Sequence, residues 1–178
     1  LTPLIVGFLL LLAVILVLGL RSATKLNDVA SNARMKTQEY SARLNQLTEL
    51  QLSVIKLESE ARLRDISESN RQLTPPLQIR LDQARAEAIQ GLSNFEKLRM
   101  PPPPPKFHGT AKEWVDHWNN FGGNLQSFID VTKDAREYSL KGFQRFKDIQ
   151  VDLNYFIVGA QEAYHEVDKN MVDVNREA

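Results

Sequence analysis

The chain of 178 residues contains no cysteine. This absence excludes disulfide bonds, thiol catalysis and cysteine metal sites, and it suits an extracytoplasmic domain whose core needs no covalent staples. Neither sign of charge is in excess, because 22 Lys and Arg balance 22 Asp and Glu. Proteins that bind nucleic acid usually present a basic face, so this balance argues against a nucleic-acid partner.

Patterns of strands and of catalytic sites are missing as well. No stretch alternates polar and apolar residues for long enough to predict a strand. The chain carries no nucleophile–base arrangement and no phosphate-binding glycine loop, and its three histidines lack the one-turn spacing of a helical metal site. We therefore expect an all-α protein with no cofactor and no metal, and no enzyme activity in this part of the chain.

A long apolar run stands near the start of the chain. From Leu4 to Leu20 no residue is charged, and a helix of this length spans about 26 Å, close to the roughly 30 Å hydrocarbon core of a bilayer. Arg21 and Lys25 follow, where they can reach lipid headgroups. A cleaved signal peptide is the alternative, although its apolar region is usually shorter, about 7–15 residues. We favour a retained transmembrane helix over residues 1–20.

A seven-residue apolar repeat continues from this run. Its members are Leu26, Ala33, Tyr40, Leu47, Val54 and Ala61. Such a repeat is typical of a helix packed in a left-handed bundle or coiled coil. No helix breaker separates Arg21 from Leu73, so the membrane helix is expected to continue outward as one rod over residues 21–73.

Prolines divide the rest of the chain. Thr74-Pro75-Pro76 predicts the end of the first helix and the start of a second over residues 75–99, with Thr74 as its N-cap. Five consecutive prolines, Pro101–Pro105, impose an extended polyproline segment. We interpret this segment as a stiff loop between helices; a docking peptide for a proline-binding module is the alternative.

Two more helices are predicted after the prolines. Thr110 begins the third, over residues 110–132, and Glu113 completes a capping box with it. The apolar phase passes through Gly122-Gly123 without a shift, so the helix should continue through both glycines.

The fourth helix is predicted over residues 139–177, after a turn around Lys133–Tyr138. A single helix over residues 110–177 is the alternative. The polar stretch between the apolar residues of the third helix and those of the fourth does not break the helical repeat. Helix lengths favour an up-down-up-down four-helix bundle with two long and two short helices over residues 21–178. We expect the chain to be a piece of a longer protein, with a second membrane helix about a dozen residues beyond Ala178.

Aromatic residues are densest in the third predicted helix, at Trp114, Trp118, Phe121 and Phe128. Core packing is the simplest interpretation. A ligand cavity is the alternative, because aromatic-lined gaps between bundle helices bind small molecules and neighbouring polar residues could supply contacts. The candidate ligand-binding residues are Trp114, His117, Trp118, Asn119 and Asn124.

A second candidate site is the pair Glu58 and Arg62, spaced i,i+4 as in a helical ion pair. The segment Leu57–Leu63, late on a long membrane-proximal helix, resembles the helical extracytoplasmic sensory domains of bacterial transmembrane receptors. These are the third class of CHASE-type domain and the four-helix-bundle domain of chemoreceptors. The CHASE-type pattern has a Glu four residues before an Arg, then Gly and Tyr; here Leu63 and Arg64 replace those two.

This resemblance implies the input module of a receptor such as a histidine kinase of a two-component system or a chemoreceptor. The chain would then lie in the bacterial inner membrane with its soluble part in the periplasm. It would form a homodimer, respond to a small-molecule or protein ligand, and pass helix displacement to a cytoplasmic output domain. A membrane-anchored coiled-coil tether without a sensing role is the main alternative, and a stalk for an enzyme domain outside these residues is a third.

Overall fold

The computed structural model describes the backbone of residues 2–69 and 75–177. Side chains are described for residues 15–21, 24–25, 27–29, 31–68 and 75–169. Most of the apolar run Leu4–Leu20 and the predicted N-cap Thr74 therefore lie outside the described side chains, and predictions on them stay predictions. In the part of the chain that is described, none of the helices has both the length and the apolar character needed to cross a bilayer.

Every regular element in the described backbone is helical, which confirms the prediction of an all-α fold. In chain order these are α1 (Thr2–Ser69), α2 (Pro75–Phe95), α3 (Ala111–Val131), the single turn α4 (Ala135–Glu137), a π-helical turn (Tyr138–Gly142) and α5 (Phe143–Glu177). The backbone divides into two units. One comprises Leu1–Glu39 with Glu166–Ala178, and the other comprises Tyr40–His165. The hydrophobic core lies in the second unit.

In that second unit, α1 buries the part of its apolar repeat that begins at Leu47. Its core residues are Leu47, Leu50, Val54, Leu57 and Ala61. The core residues of α2 are Leu77, Leu81, Ala84, Ala88, Leu92 and Phe95. The two helices approach closely at Gly91, where an added Cβ would lie 2.8 Å from Leu50 Cδ1. Lys56 on α1 pairs with Glu87 on α2 at 2.7 Å.

The ends of α2 and α3 show how local hydrogen bonds set helix limits. α2 ends at Phe95 and not at the predicted Arg99, because Leu98 N–H donates to Phe95 O at 2.9 Å and closes a tighter turn. The predicted capping box of α3 is confirmed: Thr110 Oγ1 accepts from Glu113 N, and the Glu113 carboxylate accepts from Thr110 N. α3 also continues through Gly122-Gly123, as predicted.

Residues 110–177 form more than one helix, since a short break separates α3 from α4. The turn is confined to Thr132–Asp134, shorter than the predicted Lys133–Tyr138, because the Asp134 side chain caps the next helical turn by accepting from Glu137 N at 2.9 Å. Two arginines hold the end of α3: Arg85 donates to Thr132 O at 3.0 Å and Arg64 to Lys133 O at 3.2 Å. Cations at a helix C-terminus are favoured by the helix dipole.

The five prolines, which we call the proline strap, pack on the chain itself. Pro101 and Pro104 are buried while the other three are exposed, the three-residue period of a polyproline helix. Trp114 Nε1 donates to Pro101 O at 2.9 Å. The strap backbone passes directly over α5 at Gly159, where an added Cβ would overlap Pro102 O. The segment thus connects α2 to α3 as a loop fixed against α5.

This close approach predicts opposite effects for two glycine-to-alanine substitutions. Gly159→Ala should lower the free energy of unfolding by about 2 kcal/mol, because the new methyl group displaces a backbone carbonyl. Gly123→Ala should raise it by about 0.5–1 kcal/mol, because nothing lies within 4 Å of its Cβ position and Ala favours the helix. Urea unfolding of both variants measures the difference. Equal stability of the two would contradict the packing of the strap on α5.

Candidate functional site

The aromatic group of α3 is part of the core. Trp118 packs against Phe95 and Phe156, with ring centroids 4.4 and 4.9 Å apart. Trp114 is fully buried, and its indole N–H is satisfied by the strap carbonyl of Pro101. Both tryptophan rings meet Phe156 edge to face, while Trp118 and Phe95 are tilted by 42°, arrangements that aromatic side chains adopt in close-packed interiors. The two tryptophans therefore hold α3 to the rest of the second unit.

An open cleft of about 480 Å³ lies between α3 and α5 on the surface of the second unit. It is lined by Glu113, Asp116, His117, Asn120, Asn124, Asp148, Val151 and Asp152. Four of these eight lining residues are acidic and none is Lys or Arg. The cleft therefore carries a negative potential that favours cationic or hydrogen-bond-donating groups.

One hydrogen-bonded pair crosses the floor of the cleft. His117 Nδ1 on α3 lies 2.8 Å from Asp152 Oδ1 on α5, and the Asp152 side chain is only 8% exposed while that of His117 is 46% exposed. Burial raises the pKa of the Asp152 carboxyl, and the hydrogen bond and charge of His117 partly oppose this. Asp148, one helical turn earlier, adds like-charge repulsion that raises the pKa further.

The strap forms one wall beside this pair. The Phe107 ring meets His117 edge-on at 6.0 Å, Trp114 at 5.0 Å and Tyr155 at 5.6 Å between centroids. Phe107 N–H donates to Pro104 O at 2.8 Å, which fixes the ring at the end of the strap. His117 is therefore in contact with Phe107, which is bonded to the strap, as well as with α5.

The structure distributes the predicted ligand-binding residues over two places. His117 and Asn124 line the cleft. Trp114 and Trp118 belong to the aromatic core, with Trp118 half-buried. Asn119 is exposed and is not among the residues that line the cleft.

The acidic residues of the cleft were missed by reasoning from the sequence. Asp148 and Asp152 lie one turn apart on α5, and Glu113 and Asp116 share a face of α3 with His117. These spacings put each pair on one helix face, but only the packing of α3 against α5 brings the two faces together. The signal available in the sequence was the spacing of these acidic residues, three or four positions from a partner on the same helix.

A metal ion does not fit this arrangement. Among the residues that the structure describes, no three His, Asp or Glu side chains are placed to hold one. The cleft offers instead a spread of separate carboxylates and amides, which suits an organic ligand with several polar groups or the surface of a protein.

The motif pair lies elsewhere in the second unit. Arg62 donates to the Glu58 carboxylate, whose side chain is only 9% exposed. Tyr138, in the π-helical turn, places its hydroxyl 3.3 Å from Glu58 Oε1 and 3.4 Å from Glu58 O. Burial, and then the charge of Glu58, raise the pKa of Tyr138 to about 12, so its hydroxyl stays a donor at physiological pH. The pair thus joins α1 to the segment that begins α5.

Comparison with known proteins assigns no family. No protein-family model, no curated protein and no solved structure gives a significant match to the chain. The resemblance carried by Glu58 and Arg62 therefore stays a prediction from the sequence.

The raised pKa of Asp152 predicts a stability effect that depends on pH. A carboxyl whose pKa is higher in the folded state favours folding at low pH, and this contribution is lost as the pH rises through the folded pKa. Asp152→Asn keeps a hydrogen bond to His117 without the buried charge. At pH 7 it should raise the free energy of unfolding by an amount on the order of 1 kcal/mol, a gain that disappears below about pH 4. Urea unfolding across this pH range measures it.

Asp116→Asn is the matched control, because it removes an exposed carboxylate from the same cleft. Its effect at pH 7 should stay within about 0.5 kcal/mol. If Asp152→Asn lowered stability at neutral pH, the interaction of the Asp152 carboxylate with His117 would outweigh the cost of its burial.

Proposed function

We propose that this chain is the input module of a bacterial transmembrane signalling receptor. Residues 1–20 form a transmembrane helix in the inner membrane, and residues 21–178 form an extracytoplasmic up-down-up-down four-helix bundle. One observation carries the proposal: α1 runs without a break from Thr2 to Ser69, so the apolar run and the packed core belong to one helix. Signalling of this kind requires a displacement to pass along α1.

The grouping of the chain ends supports this topology. Leu1–Glu39 and Glu166–Ala178 belong to one unit. A bundle whose last helix returns toward the bilayer requires its two ends to lie together. α1 and α5 also contact each other in the second unit, where Gln51 Nε2 donates to Asn154 Oδ1 at 2.8 Å.

The cleft between α3 and α5 supports a sensing role. A ligand that bridges the two helices changes their equilibrium only if it binds one arrangement better than another. Asp148 and Asp152 put such a ligand in direct contact with α5, while His117 and Asn124 hold it to α3. A small molecule with cationic groups, or a protein surface of that charge, complements this cleft.

The exposed face of α1 supports a homodimer. Leu52, Ile55, Leu63 and Ile66 are all exposed, and their spacings of three, eight and three residues place them along one side of the helix. Anchoring in a membrane raises the effective concentration of two such faces, so a weak contact suffices there.

Membrane anchoring and dimerisation can be tested together, because the chain has no cysteine of its own. In membranes that carry the Leu52→Cys variant, oxidation should give disulfide-linked dimers that resist extraction at alkaline pH. Adding Leu10→Arg and Leu12→Arg should release the chain and lower the dimer yield, since each charge costs about 2.5–3.5 kcal/mol at the bilayer centre. Gel electrophoresis of the membrane and soluble fractions measures both.

Val151→Cys is the control for this test, because Val151 is similarly exposed but lies on α5. Equal cross-linking at both positions would indicate random collision and contradict a dimer through α1. Extraction of the unmodified chain would contradict the transmembrane helix.

Sensing is tested by locking α1 to α5. Cysteines are placed at Gln51 and Asn154, whose side chains meet across the contact described above, and disulfide formation on oxidation is checked by thiol labelling. In the full-length receptor, oxidation should hold the activity of the output domain at one level regardless of stimulus, and reduction should restore the response. Output that is the same in the oxidised and reduced protein would favour the alternative, a coiled-coil tether with no sensing role.

A further inference from the structure

The π-helical turn Tyr138–Gly142 interrupts what would otherwise be one helix from Ala135 to Glu177. Turns of this kind are rare, occur singly within α-helices and are frequent at functional sites. Their hydrogen-bond geometry differs from that of the flanking helix, so contacts outside the turn must hold them in place.

Tyr138 provides those contacts. Its buried hydroxyl bonds to Glu58 on α1, and its ring lies over Gly142 so closely that an added Cβ there would overlap the ring. Glycine at position 142 is therefore required by the ring of Tyr138 and not by the backbone. The Tyr138 side chain therefore lies between α1 and Gly142, the last residue of the turn.

The turn also determines where Tyr138 points. Ile149 follows Tyr138 by eleven residues, and at about 100° per residue an uninterrupted α-helix would bring the two side chains within about 20° of one line. A five-residue π-helical turn lags an α-helix by roughly one residue, or about 100°. The extra residue thus offsets Tyr138 from the line of Ile149 by about 100°, and the Tyr138 hydroxyl reaches Glu58.

Both ends of this segment are fixed by packing. Before it, Arg64 and Arg85 hold the turn at Thr132 and Lys133, and after it α5 enters the core at Ile149. The extra residue is therefore confined between two anchored elements.

Between those anchors, the main core contact at the start of α5 is the half-buried Phe146, whose ring lies 6.0 Å from that of Phe128. No residue from Phe143 to Asp148 is fully buried. Phe143 is 52% exposed, and its ring is covered by Arg62 at 5.5 Å and by Lys147 at 4.8 Å. Rotation of this stretch must therefore move the Phe146 ring on Phe128, but it displaces no fully buried side chain.

We propose that the π-helical turn is a movable one-residue bulge, held at Tyr138–Gly142 by the contact of Tyr138 with Glu58, that shifts along Phe143–Asp148 when this contact is released. The shift turns only the residues that the bulge passes, by about 100°, and leaves both anchors in place. It carries Phe143 away from Arg62, the partner of Glu58, so the motif pair and the start of α5 change together. The use of this shift as a signal rests on the proposed function; its existence does not.

Single-residue deletions in the full chain test the proposal. Deleting the exposed Leu140 removes the extra residue from the turn itself. Deleting the exposed Gln144, outside the turn, can be absorbed only if the bulge moves into that stretch and disappears there. Deletion of the exposed Val151 is the control. It rotates the buried residues of α5 before position 151 relative to the buried residues after it. Thermal unfolding in detergent, followed by far-UV circular dichroism, reports on all three.

We expect the deletions of Leu140 and Gln144 to keep the midpoint within about 4 °C of the parent chain, and the deletion of Val151 to lower it by more than about 10 °C. Loss of stability on deleting Leu140 would show that the turn holds no spare residue, and overturns the proposal. If Leu140 is dispensable and Gln144 is as costly as Val151, the bulge is fixed, which also overturns it. These measurements need no output domain, so either failure leaves the receptor function standing.

Discussion

The second unit depends on one line of apolar side chains along α1. Leu47, Leu50, Val54, Leu57 and Ala61 are almost fully removed from solvent. Their burial, at roughly 1.5–3 kcal/mol for each of the larger side chains, is the main favourable term that holds α2, α3 and α5 around this helix. The polar contacts described above lie around this line, where α1 already fixes the distances. The Glu58–Tyr138 contact exists only because its flanking residues Leu57 and Ala61 are held in the core.

Periodicity predicted the helices and most of the core, because a buried stripe leaves a repeat that can be read directly from the sequence. Leu47, Val54 and Ala61, members of the seven-residue repeat of α1, are examples, since all three are buried. Helix ends were less predictable. α2 ends at Phe95, where Leu98 N–H donates to Phe95 O, and not where the apolar pattern ends. Such a stop depends on one hydrogen bond and leaves no mark in the pattern.

The candidate site was predicted only in part, for a related physical reason. His117 and Asn124 were predicted from their position near the tryptophans. Asp152 was not predicted, because it lies on another helix, 35 residues after His117 in the sequence. A surface acid on one helix and a histidine on another give no sequence signal of contact. The role of Arg64 was missed in the same way. In the sequence, Arg64 was interpreted only as a departure from the family pattern after the motif pair. In the structure its side chain is buried and donates to Lys133 O at the end of α3.

α5 connects the features that packing revealed. The proline strap meets it at Gly159, the acidic cleft at Asp152 and Asp148, and the π-helical turn at its first residue. These contacts follow one another along the helix, so a force at any of them acts on the same element. α1 is held by a dense apolar line, whereas the first turn and a half of α5 lacks fully buried residues. Because a displacement is largest where the packing resists it least, the start of α5 is where a stimulus would first change the structure.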